Sequence, residues 1–283
     1  MKKRDTVLVP AIQQMREDAR GILGPGLAHR RFVLQRYPPS RHPGRYVRHY
    51  WSVTWDLGER NHVQTVLPHP AVNLVFERHR AAAYGLERGA NTQVLTGKGW
   101  ALGVLFRPAG FAPYYGQPMA QLTGSAIEVE DLFGAAGVAA WEAIKRARIP
   151  EARAGIADLL LAELAPTSAP RTELARDVVE RIAADSDLTK VEDVARFARC
   201  SVRSLQRLFA DQVGASPKWV IRRYRLLEAA EHAGRGGLVS WSQLALALGY
   251  SDQAHLTREF TSMVGMPPAE YARACVDGRD VLR

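Results

Sequence analysis

The stretch Ser251-Asp-Gln-Ala-His-Leu-Thr-Arg-Glu-Phe260, followed by Val264-Gly-Met-Pro-Pro268, repeats an earlier part of the chain. The earlier copy reads Ser201-Val-Arg-Ser-Leu-Gln-Arg-Leu-Phe209, followed by Val213-Gly-Ala-Ser-Pro217. Leucine, arginine, phenylalanine, valine, glycine and proline recur at one offset, which for the leucines is 256 − 205 = 51 positions. A shared set of this size indicates a duplicated supersecondary unit.

Each copy is preceded by the signals of a short helix and a tight turn. Thr189-x-x-Glu192 and Ser240-x-x-Gln243 have the spacing of capping boxes, which open helices. Ser201 and Ser251 are then expected to be the N-caps of the second helices. Each copy is therefore predicted to be a helix-turn-helix.

The turn residue differs between the copies. Gly249 supplies the left-handed conformation in copy two, whereas Arg199, a less comfortable residue for it, stands at that place in copy one. The spacing from the alanine of the first helix to the expected N-cap serine is the same in both copies. Copy two therefore gains one residue between its serine and its leucine.

The second helix of each copy carries polar side chains opposite its apolar residues. Leu205, Leu208 and Phe209 in copy one, like Leu256 and Phe260 in copy two, have the spacing of a core-facing stripe. Arginine and glutamine can bond guanine and adenine in a bidentate manner, and paired helix-turn-helix units read neighbouring major-groove segments. An ordinary solvated face is the alternative for either helix alone. The residues predicted to contact DNA in these helices are Arg203, Ser204, Gln206, Arg207, Gln253, His255, Thr257 and Arg258.

A helix predicted from Pro217 to His232 joins the two copies. At about 1.5 Å per residue it is roughly 24 Å long, which suits two recognition helices about 34 Å apart, the length of one DNA turn. Arg222 and Arg223 are predicted to contact DNA phosphates, and Arg225 is placed similarly. A solvated helix face is an equal alternative for each of the three.

These residues match a known family. The stretch from about Leu174 to Cys275 resembles the DNA-binding domain of AraC/XylS-type transcription regulators, in which a long helix joins two helix-turn-helix units. The signature is carried by Ala245-Leu-Ala-Leu-Gly-Tyr-Ser-Asp-Gln-Ala-His-Leu-Thr-Arg-Glu-Phe260 and by Gly265-Met-Pro-Pro-Ala-Glu-Tyr271. Arg199 and Trp219 depart from the family pattern without removing a DNA-facing position. The resemblance implies promoter DNA and RNA polymerase as partners.

Composition agrees with a two-domain protein that has an anionic partner. The chain has 283 residues, of which 47% are hydrophobic, and a formal net charge of +9. Its two cysteines form no CxxC motif, which excludes a disulfide scaffold and a zinc finger. No apolar run reaches membrane length, and Lys2-Lys-Arg4 is not followed by the apolar region of a signal peptide. We therefore expect a cytoplasmic protein without membrane contact.

The first half of the chain is β-rich. Residues 1–30 are basic and weakly patterned, which favours a flexible arm. From Arg31 to about Ile127, short β-rich runs broken by Gly and Pro predict a barrel or jelly roll, so the whole chain is predicted to be α+β. The runs are Phe32–Leu34, Tyr46–Asp56, Val63–Leu67, Val72–Phe76, Gln93–Leu95 and Ala101–Phe106.

Two motifs in this region, Leu67-Pro-His-Pro-Ala-Val-Asn-Leu-Val-Phe-Glu77 and Gly103-Val-Leu-Phe-Arg-Pro-Ala-Gly-Phe111, resemble the cupin-like sensor domain of one branch of AraC-type regulators. The resemblance covers most of residues 36–134 and implies that a small-molecule effector binds here. We expect a basic arm over residues 1–30, a sensor domain with C-terminal helices over 31–164, a linker over 165–171 and a DNA-binding domain over 172–283.

A cupin-like metal-dependent enzyme fused to a DNA-binding tail is the alternative function. Cupin enzymes usually carry an HxH motif, and the five histidines between positions 42 and 79 include no pair with that spacing. No GxSxG motif is present, and no metal, cofactor or catalytic residue is predicted. Arg107, set between Phe106 and Pro108, is the candidate for binding a ligand carboxylate, with an exposed strand-end arginine as the alternative.

From Glu130 to Leu164 the apolar spacing becomes helical and predicts two helices. Packing of this pair on the β-rich domain is the simpler expectation. A homodimer formed through the pair is the alternative, because related regulators commonly dimerise through helices placed there. Ala165-Pro-Thr-Ser-Ala-Pro170 then marks the linker.

Overall fold

The structure is a computed structural model, which describes residues 31–277 apart from 67–68, 88, 90, 165, 168 and 235–239. The predicted basic arm, residues 1–30, lies outside the described residues. None of the helices in the described part combines the length and apolar character needed to cross a membrane.

Antiparallel strands build the N-terminal part. Those described are β1 (Phe32–Tyr37), β2 (Val47–Asp56), β3 (His62–Val66), β4 (Asn73–Phe76), β5 (Ala81–Tyr84), β6 (Asn91–Leu95), β7 (Lys98–Phe106) and β8 (Ala126–Glu128). Six of them hydrogen-bond in the order β1-β2-β7-β4-β5-β8, while β3 and β6 form a separate two-stranded ribbon. The described strands thus form two sheets rather than one closed ring.

One face of the large sheet is lined with tryptophans that lie on glycines. Trp51 is paired in register with Gly103, and Trp55 with Gly99. A Cβ added at Gly103 would lie 1.9 Å from the Trp51 ring, and one at Gly99 would lie 2.3 Å from the Trp55 ring. The glycines therefore allow both indoles to lie flat against β7. Leu95 of the ribbon packs in the same small apolar cluster as these two tryptophans.

The opposite face of the sheet forms the main core, covered by α1 (Ala112–Tyr115), α2 (Val129–Arg146) and α3 (Pro150–Glu163). Asp158 fastens α3 to the sheet, because its buried carboxylate accepts hydrogen bonds from the Ser40 N–H and the Tyr50 hydroxyl, each at 2.9 Å. The expectation that a helix pair packs on the β-rich domain is confirmed.

Helices make up the C-terminal part. Those described are α4 (Pro170–Ala184), α5 (Val191–Phe197), α6 (Val202–Gln212), α7 (Pro217–Gly234), α8 (Trp241–Ala247), α9 (Gln253–Val264) and α10 (Pro268–Asp277). Helices α5 and α6 form the first helix-turn-helix, α8 and α9 form the second, and α7 joins them. The predicted α+β class and the duplicated unit are confirmed.

The strands β5 and β8 were not expected from the sequence. β5 is the alanine-rich run Ala81–Tyr84, and alanine is depleted in strands, so its composition gives no strand signal. β8 contains only three residues. Both are held in place by pairing: β5 lies between β4 and β8, with Ala82 opposite Glu128.

The two helix-turn-helix units are attached to the rest of the chain in different ways. The apolar core of the first unit is continuous with that of the sheet, and a hydrogen bond from the Thr123 hydroxyl to the Gly214 carbonyl, 2.6 Å long, joins them. Arg107 of the β-rich domain also pairs with Glu180 of α4 at 3.1 Å. The second unit has a separate core, which includes Leu226, Ala229, Leu248, Leu256, Phe260 and Tyr271.

Candidate nucleic-acid interface

The two helix-turn-helix turns have the same geometry despite their different residues. Arg199 takes a left-handed φ of 51°, and Gly249 takes a φ of 78°. In each turn the next N–H bonds back to an alanine carbonyl, Cys200 to Ala195 at 3.1 Å and Tyr250 to Ala245 at 2.9 Å. Arginine therefore supports the turn of the first unit, at the steric cost of a left-handed non-glycine residue.

The N-caps of the two recognition helices show where the repeat gained a residue. The Ser201 hydroxyl accepts a bond from the Ser204 N–H at 3.1 Å, as predicted. In the second unit the cap is Asp252, whose carboxylate accepts a bond from the His255 N–H at 2.7 Å, so the prediction of Ser251 as the cap is wrong. The caps are 252 − 201 = 51 positions apart, which is the offset of the repeat. Ser251 is thus the inserted residue, between turn and cap.

The helices that precede the turns begin less regularly than the capping boxes predicted. The N-cap position of α5 is Lys190 rather than Thr189, whose N–H bonds to Asp187 in a local turn. Ser240 does occupy the N-cap of α8, but its hydroxyl lies 3.3 Å from that of Ser242 and makes no cap bond. The capping-box prediction is therefore wrong for Thr189. For Ser240 the predicted N-cap position is confirmed, but the predicted cap hydrogen bond is not formed.

The recognition helices α6 and α9 have the predicted inward and outward faces. Leu205, Leu208 and Phe209 are buried in α6, as are Leu256 and Phe260 in α9. The polar residues predicted to contact DNA lie on the opposite faces. Arg203, Ser204, Gln206, Arg207, Gln253 and Arg258 are exposed, and His255 and Thr257 are partly buried.

Arg207 and Arg258 occupy equivalent positions, since 258 − 207 = 51. Two carboxylates close to them in the sequence bind other arginines: Asp211 pairs with Arg171 at 2.7 Å, and Glu259 pairs with a guanidinium of α7. Among the described residues no carboxylate forms a salt bridge with Arg207 or Arg258. Both guanidinium groups are therefore exposed and available to an anionic partner.

Arg222, Arg223 and Arg225 lie within one turn of α7 but have different surroundings. The Arg222 side chain is 45% exposed and pairs with Glu259 at 2.9 Å. Arg223 is 3% exposed, so its predicted phosphate contact is contradicted. Its guanidinium lies 4.8 Å from the centre of the Trp219 ring, and burial lowers the pKa of Arg223 to about 10.

Arg225 is also buried and cannot contact a phosphate. Its Nη2 donates to the carbonyl oxygens of Ile182 and Asp185 at 2.6 and 2.7 Å, and its Nη1 pairs with Glu228 at 2.8 Å. It thereby satisfies carbonyl groups at the C-terminal end of α4, which lack helical partners. Helical spacing alone did not reveal this role.

The predicted ligand residue Arg107 binds the protein itself. Its Nε donates to the Gly44 carbonyl at 3.0 Å, and its Nη1 pairs with Glu180 at 3.1 Å. The carboxylate bound by Arg107 thus belongs to α4, so Arg107 is a contact between the two parts of the chain. The described residues include no cluster of three or more His, Cys, Asp or Glu side chains suited to a metal ion.

Comparisons with known proteins agree with this geometry. Residues 194–274 match the family described as a helix-turn-helix domain, and residues 35–128 match a domain of unknown function, DUF6597. The probable transcription factor PqrA of Proteus vulgaris is 34% identical over 82 residues, which are 29% of this chain and 66% of that relative. The match therefore spans just under two thirds of PqrA.

Solved structures with a similar course include ToxT from Vibrio cholerae. For ToxT of strain O395 the TM-score is 0.39 at 8% identity, covering 79% of this chain and 97% of ToxT. For unsaturated fatty acid bound ToxT of strain SCE256 the TM-score is 0.36 at 9% identity, covering 86% and 91%. A likeness this low supports no conclusion about this chain. The duplicated unit, its turns and the match over residues 194–274 together identify the C-terminal region as a helix-turn-helix domain.

Proposed function

We propose that this protein regulates transcription by binding promoter DNA sequence-specifically, with α6 and α9 in successive major grooves. The observation that carries the proposal is the equivalence of Arg207 and Arg258, both exposed and neither in a salt bridge with a described carboxylate. Helix α7 has 18 residues, or about 27 Å at 1.5 Å per residue, which suits half-sites one DNA turn apart. The protein would act in the cytoplasm. RNA polymerase at the bound promoter is the enzyme whose activity would change.

Binding-site selection from random duplexes with the full chain tests this function. We expect two enriched segments about 10–10.5 base pairs apart from centre to centre, and an affinity that falls steeply with salt because phosphate contacts release counterions. Arg207→Ala/Arg258→Ala should lose the enrichment, whereas Arg148→Ala/Arg273→Ala, which removes the same charge elsewhere, should keep it. A folded chain that enriches no sequence at low salt would refute the proposal.

We further propose that the β-rich domain binds a small-molecule effector between the large sheet and the ribbon. Three polar side chains, Arg36, His62 and Gln64, are buried there. Arg36 is paired in register with Trp51, and the His62 ring lies 6.0 Å from that of Phe32. Apolar walls with a few polar groups are typical of ligand sites.

A thermal-shift screen of small metabolites tests the effector site. A true effector should raise the melting temperature of the wild type and have a smaller effect on Arg36→Gln. Equal shifts in both proteins would place the effector elsewhere.

The alternative of a metal-dependent enzyme predicts stoichiometric iron, zinc or manganese in the purified protein. A homodimer through the α2–α3 pair is the alternative to a monomer, with half of the 14 residues of α3 buried in their own chain.

A further inference from the structure

A charged cluster joins the second recognition helix to the joining helix. Its centre is Glu259, whose Oε1 lies 2.9 Å from Nη1 of Arg222 on α7 and 3.4 Å from Nε2 of His255, one turn earlier on α9. The Glu259 side chain is 21% exposed. Because Arg222 and Glu259 belong to different helices, their salt bridge fixes how α9 lies against α7.

The cluster continues to the start of α9. Nδ1 of His255 lies 3.2 Å from the Ser251 hydroxyl, and the His255 N–H is the group capped by Asp252. The buried Tyr250 hydroxyl lies close by: burial raises its pKa, and the Glu259 carboxylate raises it further. The polar contacts thus run from α7 to the N-cap of the recognition helix.

The first recognition helix has no acidic residue at the position of Glu259. The position equivalent to Glu259 is 259 − 51 = 208, which is Leu208. Leu208 is buried in the core that the first unit shares with the sheet. The first recognition helix thus has apolar packing at this position, and its own ion pair lies at its C-terminal end, where Asp211 binds Arg171 of α4. Only the second recognition helix is tied to α7 by a salt bridge among the described residues.

We propose that Glu259 is a positioning residue that sets the orientation of α9, and with it the reading of the second half-site, through Arg222. The inference rests on the proposed DNA-binding function. It also changes the role predicted for Arg222, which acts through its salt bridge with Glu259 rather than as a phosphate ligand. Glu259 itself would touch no base.

Two variants, Glu259→Gln and Arg222→Gln, test the inference from both sides of the salt bridge. Each should reduce sequence preference in the second half-site by about two- to fivefold, as expected for loss of a partly exposed pair, and leave the first half-site unchanged. The double variant should be no worse than either single one. Glu270→Gln is the matched control for Glu259→Gln, because it removes an exposed acid from the same unit and corrects for the gain in net positive charge.

The competing role for Arg222 predicts the opposite sign. If Glu259 merely holds back an arginine that binds phosphate, Glu259→Gln would tighten binding to all sequences beyond the effect of Glu270→Gln, and that result would overturn the inference. Hydrogen exchange of the free variants provides a readout without DNA. We expect faster exchange of the α9 amides and unchanged exchange in α6, and unchanged exchange in both helices would also overturn it. If the variants show this exchange pattern but the protein binds no DNA sequence specifically, the proposed function is refuted. The inference that Glu259 positions α9 through Arg222 would still stand.

Discussion

The Thr123 hydroxyl donates a hydrogen bond of 2.6 Å to the carbonyl oxygen of Gly214, across 91 positions of the sequence. Gly214 ends the first helix-turn-helix unit with a left-handed φ of 89°, and a Cβ there would lie 2.9 Å from the carbonyl oxygen of Met119. Its equivalent in the second unit, Gly265, has nearly the same φ of 90° but is exposed. The same turn is thus a domain contact in one unit and a surface turn in the other.

Thr123→Val should destabilise the full chain. The substitution keeps the shape of the side chain but leaves the buried Gly214 carbonyl without its donor, which typically costs about 1–3 kcal/mol. Calorimetry should therefore show a lower melting temperature. Ser125→Ala is the control, because that hydroxyl bonds locally, to the carbonyls of Leu122 and Gln121. Equal melting temperatures for the two variants would contradict the prediction.

The Arg107–Glu180 salt bridge should contribute little to stability on its own. Both side chains are close to half exposed, and solvent screens such pairs to about 0–1 kcal/mol. A double-mutant cycle with Arg107→Ala and Glu180→Ala should give a coupling energy in that range. If Arg107 bound an effector instead, Arg107→Ala would abolish the thermal shift caused by that effector while Glu180→Ala would preserve it.

How much could be predicted depended on whether the signal was local. The duplicated unit, the inward leucines and the cap at Ser201 are set by residues a few positions apart, and the sequence carries that pattern. The same pattern misplaces the cap of α9 by one residue, because the inserted Ser251 has the same capping chemistry as Asp252. Arg223 and Arg225 could not be assigned in this way. Each step along a helix turns the side chain by about 100°, so Arg223 and Arg225, two steps apart, point in nearly opposite directions. The sequence does not say that the β-rich domain covers one, through the Glu87 carbonyl, and that the end of α4 covers the other.

The two N-caps should contribute in different pH ranges. Ser201→Ala removes a neutral cap and should cost about 1 kcal/mol at any pH. The bond from the His255 N–H lowers the pKa of Asp252. A carboxylate whose pKa is lower in the folded state stabilises above its unfolded pKa, and the benefit is lost as the pH falls through the folded value.

Melting curves of Asp252→Ser between pH 7 and pH 3 test that difference. Serine can still cap the helix, as Ser201 does in the first unit, but it does not titrate. The difference in melting temperature between wild type and Asp252→Ser should therefore become smaller as the solution becomes acidic. A gap that stays constant over this range would show that the charge of Asp252 does not contribute to the cap.

Arg207→Ala and Arg258→Ala should each relax preference at one base position and cost about 1–3 kcal/mol on the selected site, as expected for a base-edge contact. The two positions should lie in different half-sites, one DNA turn apart. Arg273→Ala serves as the charge control. If either recognition-helix variant instead lowers the melting temperature and keeps its sequence preference, that arginine braces the fold and does not read DNA.

Residues 171–283 alone should bind DNA, but mainly through the second unit. The second unit has its own core, so it should fold in the fragment as it does in the full chain. The first unit shares its core with the sheet, and its Gly214 turn packs against Met119, so removal of the β-rich domain exposes apolar surface and loosens α6. Binding-site selection with the fragment should therefore enrich the half-site read by Arg258 more strongly than the one read by Arg207. Thr123→Val in the full chain weakens the same contact without removing a domain. It should also favour enrichment of the half-site read by Arg258 over the one read by Arg207, by a smaller amount. A fragment that enriches both half-sites as the full chain does would mean that the β-rich domain is not needed to hold the first reading helix.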